Sequence, residues 1–152
     1  MELKELTNKT LEIFEVKSED ALADKIFNAV KNNVTTKFCE FRDLVGDLSN
    51  DWLQMIYQYY LADRKEKKQD YTPKSIGIFM AKLVGDSDKI TDLCAGSGAL
   101  TIQKWNENHE QSFELYESDK NVIPFLLFYM VVRNDEGIVY HSDGGKQEIY
   151  YA

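Results

Sequence analysis

One run constrains the chain more than any other: Lys89-Ile90-Thr91-Asp92-Leu93-Cys94-Ala95-Gly96-Ser97-Gly98-Ala99-Leu100. Ile90 to Cys94 reads as a short apolar strand, Ala95 to Gly98 as a turn, and a helix restarts at Ala99. A strand, a glycine turn and a helix together bring backbone N–H groups against a ligand. Gly96 and Gly98 lack a Cβ, so a ligand can approach the main chain and φ can be positive. Asp92 stands four residues before Gly96, giving Asp-x-x-x-Gly-x-Gly. A dinucleotide loop wants a third glycine at position 101, where this chain has threonine. An acid at the strand end suits a ligand with a cationic or donor-rich group and no phosphate.

The residues around this run supply the rest of an α/β pattern. Residues 1–68 read as helical. Ser18 is placed to cap a helix carrying Leu22, Ile26, Phe27 and Val30. A second helix follows from Thr35 to Val45, stopped by Gly46. In a third, Trp52, Leu53, Ile56, Tyr57, Tyr60 and Leu61 form a broad apolar stripe, read as core. Arg64-Lys65-Glu66-Lys67-Lys68 is the dense basic run and reads as a solvated helix end. Thr72-Pro73 then opens a helix with Ile76, Phe79, Met80 and Leu83 on its apolar face. Beyond the glycine turn, Ser112 to Glu117 alternates as a strand that ends in an acid. Such an acid can accept two hydrogen bonds from ribose hydroxyls. Asn121 to Arg133 is apolar enough for a buried helix, with Pro124 in its first turn. Ile138 to His141 is a third strand, followed by Ser142-Asp143-Gly144-Gly145.

Asp92-Leu93-Cys94-Ala95-Gly96-Ser97-Gly98 resembles the first motif of methyltransferases that use S-adenosylmethionine (SAM). It looks most like that of the adenine-N6 DNA methyltransferases, and among them the methylation subunits of type I restriction–modification systems. Leu93 stands where that family usually has proline. Gln69-Asp70-Tyr71-Thr72-Pro73 resembles the family's cofactor-flanking motif, with Lys68 in place of a glycine and Asp70 in place of an aromatic residue. The two motifs come in the family's order. The resemblance implies a partial Rossmann-like methyltransferase sheet of about three strands at 69–152, behind the helical region at 1–68. It also implies SAM as cofactor, bound by Tyr71, Thr72, Asp92, Ala95, Gly96, Ser97, Gly98, Glu117 and Asp143. Glu117 would take the ribose, and Asp143 the adenine through its amino group. Ser142 replaces the family's usual glycine there.

Composition sets the remaining bounds. The chain has 152 residues, 43% hydrophobic and 29% charged, an ordinary globular mix that can form a real core. A net charge of −8 is unlike a free-standing DNA-binding module, so DNA contact is expected through a complex with specificity or restriction subunits. Cys39 and Cys94 are far apart with no His/Cys cluster, so neither a metal site nor a disulfide is expected. Cys94 reads as a small buried hydrophobe. No run approaches the ~20 apolar residues of a membrane helix, and the chain reads as cytoplasmic.

The adenine-holding Asn/Asp-Pro-Pro-Tyr/Phe loop of the family is absent, because Pro73 and Pro124 are the two prolines. No residue is therefore assigned to catalysis, and these residues alone are expected to transfer no methyl group. The alternative reading is a non-enzymatic module that uses the fold to bind methylation or specificity subunits. A small-molecule or protein methyltransferase is disfavoured by the Thr-Pro motif upstream of the glycines. One edge of the Ile90–Cys94 strand is left without its expected neighbour. The tail, the N-terminal helices or a second chain can cover it, and helix cover or self-association is favoured.

Overall fold

The computed structural model describes residues 2–56, 72–143 and 146–151. Four helices come first: α1 (Leu3–Phe14), α2 (Leu22–Lys31), α3 (Thr35–Val45) and α4 (Trp52–Ile56). Tyr57, Tyr60, Leu61 and the basic run Arg64–Lys68 lie outside the described residues. Helix α5 (Lys74–Val84) then leads to β1 (Lys89–Asp92), α6 (Ala99–Glu107), β2 (Ser112–Glu117), α7 (Ile123–Arg133), β3 (Gly137–Asp143) and β4 (Lys146–Tyr151). The chain is therefore α/β, with a four-stranded mixed sheet in the order β1-β2-β3-β4. Strands β1, β2 and β3 are parallel, and β4 returns antiparallel to β3. The tail, one of the covers offered for the β1 edge, is instead a full strand on β3. It pairs Tyr140 with Ile149 and Ile138 with Tyr151, on the side away from β1.

Helix α7 is the centre of the packing. Ten of its eleven residues are buried, because it has two sides to cover. Ile123, Leu126, Leu127 and Met130 pack on Phe113, Leu115 and Val139 of the sheet. Phe125, Phe128, Tyr129 and Val132 join Leu6, Phe14, Leu22, Ile26, Phe38, Phe41, Leu53 and Ile56 of the N-terminal helices. Phe128 is the focus of that second core. Phe14, Phe38 and Phe41 meet its ring edge-on, with centroids 5.4, 5.3 and 5.1 Å away. Aromatic pairs favour this geometry because the positive ring edge meets a negative face. Phe128→Ala is expected to lower stability by about 3–5 kcal/mol, from lost transfer energy plus an unfilled cavity. Urea unfolding followed by circular dichroism measures it.

Helix α5 packs by its small residues. It starts one residue after Pro73, whose carbonyl accepts the Ile76 and Gly77 N–H groups at 3.0 Å, and no side chain caps it. Its buried positions are Gly77 and Ala81. A Cβ on Gly77 would stand 3.0 Å from Gln103 Cγ, so small residues let α5 press closely on α6. The apolar stripe of the helix, Ile76, Phe79, Met80 and Leu83, faces outward, with Phe79 63% and Leu83 67% exposed. Cys94 is also exposed, since the strand ends at Asp92 and the chain has already turned.

Strand β1 is the first in the sheet order, and no strand among the described residues pairs with its outer side. The tail pairs with β3 and not there. Asp88 O accepts the Ser112 N–H at 2.9 Å, so by the period of two Ile90 and Asp92 address β2, and Lys89 and Thr91 point outward. Ser87 Oγ blunts the edge by donating to Lys89 O at 3.0 Å. The Thr91 amide is therefore expected to exchange with solvent much faster than that of Ile90. Equal protection, read by amide hydrogen exchange, would show the edge to be covered in solution, as a second chain would cover it.

Candidate functional site: the glycine turn

The turn is assembled from its own backbone and from the end of β2. Asp92 Oδ1 accepts the Cys94 N–H at 3.0 Å, bending the chain out of the strand. The Ala95 N–H donates to Tyr116 O at 2.9 Å, and the Gly98 N–H closes the turn on Ala95 O at 2.9 Å. Gly96 and Gly98 sit at φ +57° and +103°. Both values lie in the region that disfavours a side chain. Gly98 O then accepts the Ile102 N–H at 2.8 Å, the first bond of α6. Gly98 also rests on α7: an added Cβ would lie 3.2 Å from Leu126 Cδ1 and 3.8 Å from Tyr129 Cδ2.

Glu117 meets the turn directly. Its Oε2 accepts the Gly96 N–H at 2.7 Å, across 21 residues of sequence. Its Oε1 accepts the Ser118 and Asp119 N–H groups at 2.8 and 2.7 Å. The strand-end acid thus forms part of the wall of the glycine turn, with three main-chain donors on its carboxylate. Asp92 is half-buried, and burial raises its carboxyl above the usual aspartate range. The Cys94 N–H opposes that rise, and the nearby Glu117 charge adds to it. The two acids therefore flank the same few atoms. Of the four turn residues, Gly96 keeps some surface while Ala95, Ser97 and Gly98 are buried.

The other expected site residues fall around this centre. Thr72 is half-buried, two residues before α5. The close approach of Gly77 to Ala99 O, 3.6 Å from an added Cβ, sets the start of α5 beside the start of α6. Asp143 ends β3, its backbone paired with Lys146. Tyr71 lies outside the described residues. A cleft of about 200 Å³ between α5, β1 and α6 is lined in part by Met80, Val84, Asp92, Leu93 and Lys104. Larger clefts of about 610 and 630 Å³ lie elsewhere, one beside Trp105 and His109 and one beside Phe27 and Tyr150. His109 is exposed and stacks on Trp105 with ring centroids 3.8 Å apart.

A second group of residues, unassigned by sequence, lies behind the turn. Asp51 stands just before α4, and its Oδ1 accepts the Gln54 N–H at 2.9 Å and the hydroxyl of Tyr129. The same Gln54 N–H also reaches Tyr129 Oη at 2.9 Å. Arg133, one turn further along α7, donates to Leu48 O and, at 3.1 Å, to Asn50 O, fixing the approach to α4. Its guanidinium lies over the rings of Tyr129 and Trp105. Asp51 Oδ2 and Ser97 Oγ are both enclosed without an ordinary hydrogen-bond partner. They are near enough that Ser97 helps to hold the Asp51 charge. The sequence does show the Asp51/Gln54 spacing of a helix start, but not that Tyr129, 78 residues on, completes it.

Burial pushes the Asp51 carboxyl up to about 8 and that of Asp135 up to about 7, against the pull of Arg133 on both. Burial also lowers the Arg133 guanidinium to about 10. Below the ordinary aspartate value of 3.8 these carboxyls are protonated whether the chain is folded or not. As pH rises, the unfolded chain ionises first while the folded protein keeps its protons. The contribution of Asp51 is thus full below that value and is lost as pH rises through about 8. Asp51→Asn is expected to gain on wild type over this window. Urea midpoints measured from pH 4 to 9 for both proteins test it, and a constant difference would contradict it.

Parallel strands, a glycine turn and acids at two strand ends define the class, an α/β protein. The model of the N-6 DNA methylase family matches residues 42–143, two thirds of the chain, and the protein belongs to that family. The match runs from within α3 to the last residue of β3 and so takes in the whole glycine turn. No curated protein and no solved structure matches the chain. No helix among the described residues is long and apolar enough to cross a membrane.

Proposed function

We propose that the chain binds SAM over the glycine turn, as part of an adenine-N6 DNA methyltransferase of a restriction–modification system. The observation that carries the reading is the junction of Asp92, Gly96 and Glu117. Glu117 bonds the partly exposed glycine of a turn that lies within the family match, and Asp92, near enough to feel the Glu117 charge, bonds the Cys94 N–H at its start. The residues suit the group. Carboxylates accept from ribose hydroxyls or face a cationic sulfonium and amine, whereas a phosphate would be repelled by both. SAM supplies an electrophilic methyl group when bound. The chain's own part is to hold the cofactor: Glu117 stiffens the turn through the Gly96 N–H, and Asp92 offers its outer oxygen. Ala95, Ser97 and Gly98 shape the turn from inside, while Tyr71, Thr72 and Asp143 complete the rim. Specificity or restriction subunits supply the DNA contact, in the cytoplasm.

The second reading, a binding module without catalysis, draws on one observation. The Glu117 carboxylate already accepts three backbone N–H groups, which leaves it fewer free lone pairs for a ribose. Calorimetry with SAM separates the two readings, because the second expects no heat of binding. Gly96→Ala gives the sharper test. A Cβ there meets nothing within 4 Å, and φ +57° is a conformation that costs an alanine only about 1–2 kcal/mol. The variant is expected to stay folded and to bind SAM at least about tenfold more weakly, the loss expected for about 1.4 kcal/mol. Affinity equal to wild type would remove Gly96 from the site.

A further inference from the structure

Behind the glycine turn, the N-terminal helical region comes near the turn at Asp51, through Tyr129 and Ser97. Asp51 belongs to the junction before α4, and Ser97 to the turn. Asp51 Oδ2 and Ser97 Oγ are both enclosed without an ordinary hydrogen-bond partner, as is Arg133 Nε. Ser97 is 1% exposed, so its hydroxyl faces the interior and is turned away from any ligand. Asp51 is held on its other oxygen by Tyr129 and by the first turn of α4. Tyr129 in turn is a floor for Gly98. An enclosed carboxyl is costly unless it is neutral or hydrogen-bonded. An enclosed hydroxyl with no partner is costly too. Small rotations that bring the two together relieve both.

We propose that Asp51 is the positioning residue of the glycine turn. Its carboxyl, anchored by Tyr129 and α4, engages Ser97 Oγ and sets the shape of the Ala95–Gly98 backbone from behind. The N-terminal helical region then contributes to the cofactor site without touching the cofactor. Anything that shifts α4 against α7 is felt at Gly96 and Gly98. The charged group facing Asp51 is Arg133 of α7, which it shares with Asp47 and Asp135. The neutral groups facing it are Tyr129 and Ser97. The inference deepens the SAM reading, and its test is chosen to stand apart from that reading.

The test is amide hydrogen exchange of the ligand-free chain, read at Gly96 and Gly98, whose N–H groups are bonded to Glu117 and Ala95. Asp51→Ala is expected to speed both by about tenfold, the loss of one hydrogen bond of about 1.4 kcal/mol, with Phe113 and Leu115 of the sheet unchanged. Ser97→Ala is expected to do the same, and the double variant to add little more, since both remove one interaction. Asp51→Asn, neutral and of the same shape, is expected to restore protection. If Asp51→Ala does not fold, Tyr129→Phe carries the test. It removes the hydroxyl that anchors Asp51 and is expected to loosen Gly98 in the same way. Unchanged protection at Gly96 and Gly98 in the variants that fold would overturn the proposal. So would full additivity of Asp51→Ala and Ser97→Ala. Calorimetry with SAM on the same proteins keeps the readings apart. A wild type that does not bind SAM removes the cofactor and leaves the coupling as measured.

Discussion

The structure depends on a helix that has no solvent side. An apolar helix usually presents one stripe to a core and a polar face to water. Helix α7 cannot, because the sheet lies on one side of it and the N-terminal helices on the other. Its sequence, Ile123 to Arg133, meets that demand with apolar residues all round, and its closing Arg133 is used internally. The consequence is mechanical coupling. Phe128 locks three N-terminal aromatic residues, while Leu126 and Tyr129 of the same helix support the glycine turn. The helical region and the α/β part share α7, so a disturbance in either reaches the other through it.

The same element explains why a polar group is buried in the middle of this packing. A dense apolar contact between α4 and α7 would hold equally well in several registers. The Asp51–Tyr129 pair and the Arg133 bonds to Leu48 and Asn50 hold in one. Buried polar contacts of this kind add little net stability, because each group gives up hydrogen bonds to water in making them. Their effect is to fix which residue faces which, and at this site the residue so fixed lies against Ser97.

How much of this was legible in the sequence follows from the range of each signal. Strand β2 and the proline-led α7 were readable because alternation and apolar density act over adjacent residues. The glycine turn was readable because its φ values are properties of Gly96 and Gly98 themselves. Strand β4 was not read as a strand, although the two-residue Gly144-Gly145 link between alternating runs is a hairpin signature. The outward direction of the α5 stripe was not legible, because periodicity reports that a helix has an apolar face and is silent on which face is packed. Gly77 and Ala81, small enough for close approach, decided that. The Asp51 group was invisible for a different reason: its partners are brought together only by the tertiary fold.

The outward stripe of α5 also bears on how the molecules behave toward one another. Ile76, Phe79, Leu83 and Val84, with Leu93 beside the strand edge, put several large apolar side chains on one surface. Patches of this kind attract their like, and what keeps such molecules apart at neutral pH is mutual repulsion of a net charge of −8. That repulsion weakens with added salt and fades as carboxylates take up protons, while the apolar attraction does not. The colloidal state of the protein is thus governed by its acidic surface and its bare helix acting in opposition, with crowded, salty or mildly acidic solutions favouring the helix.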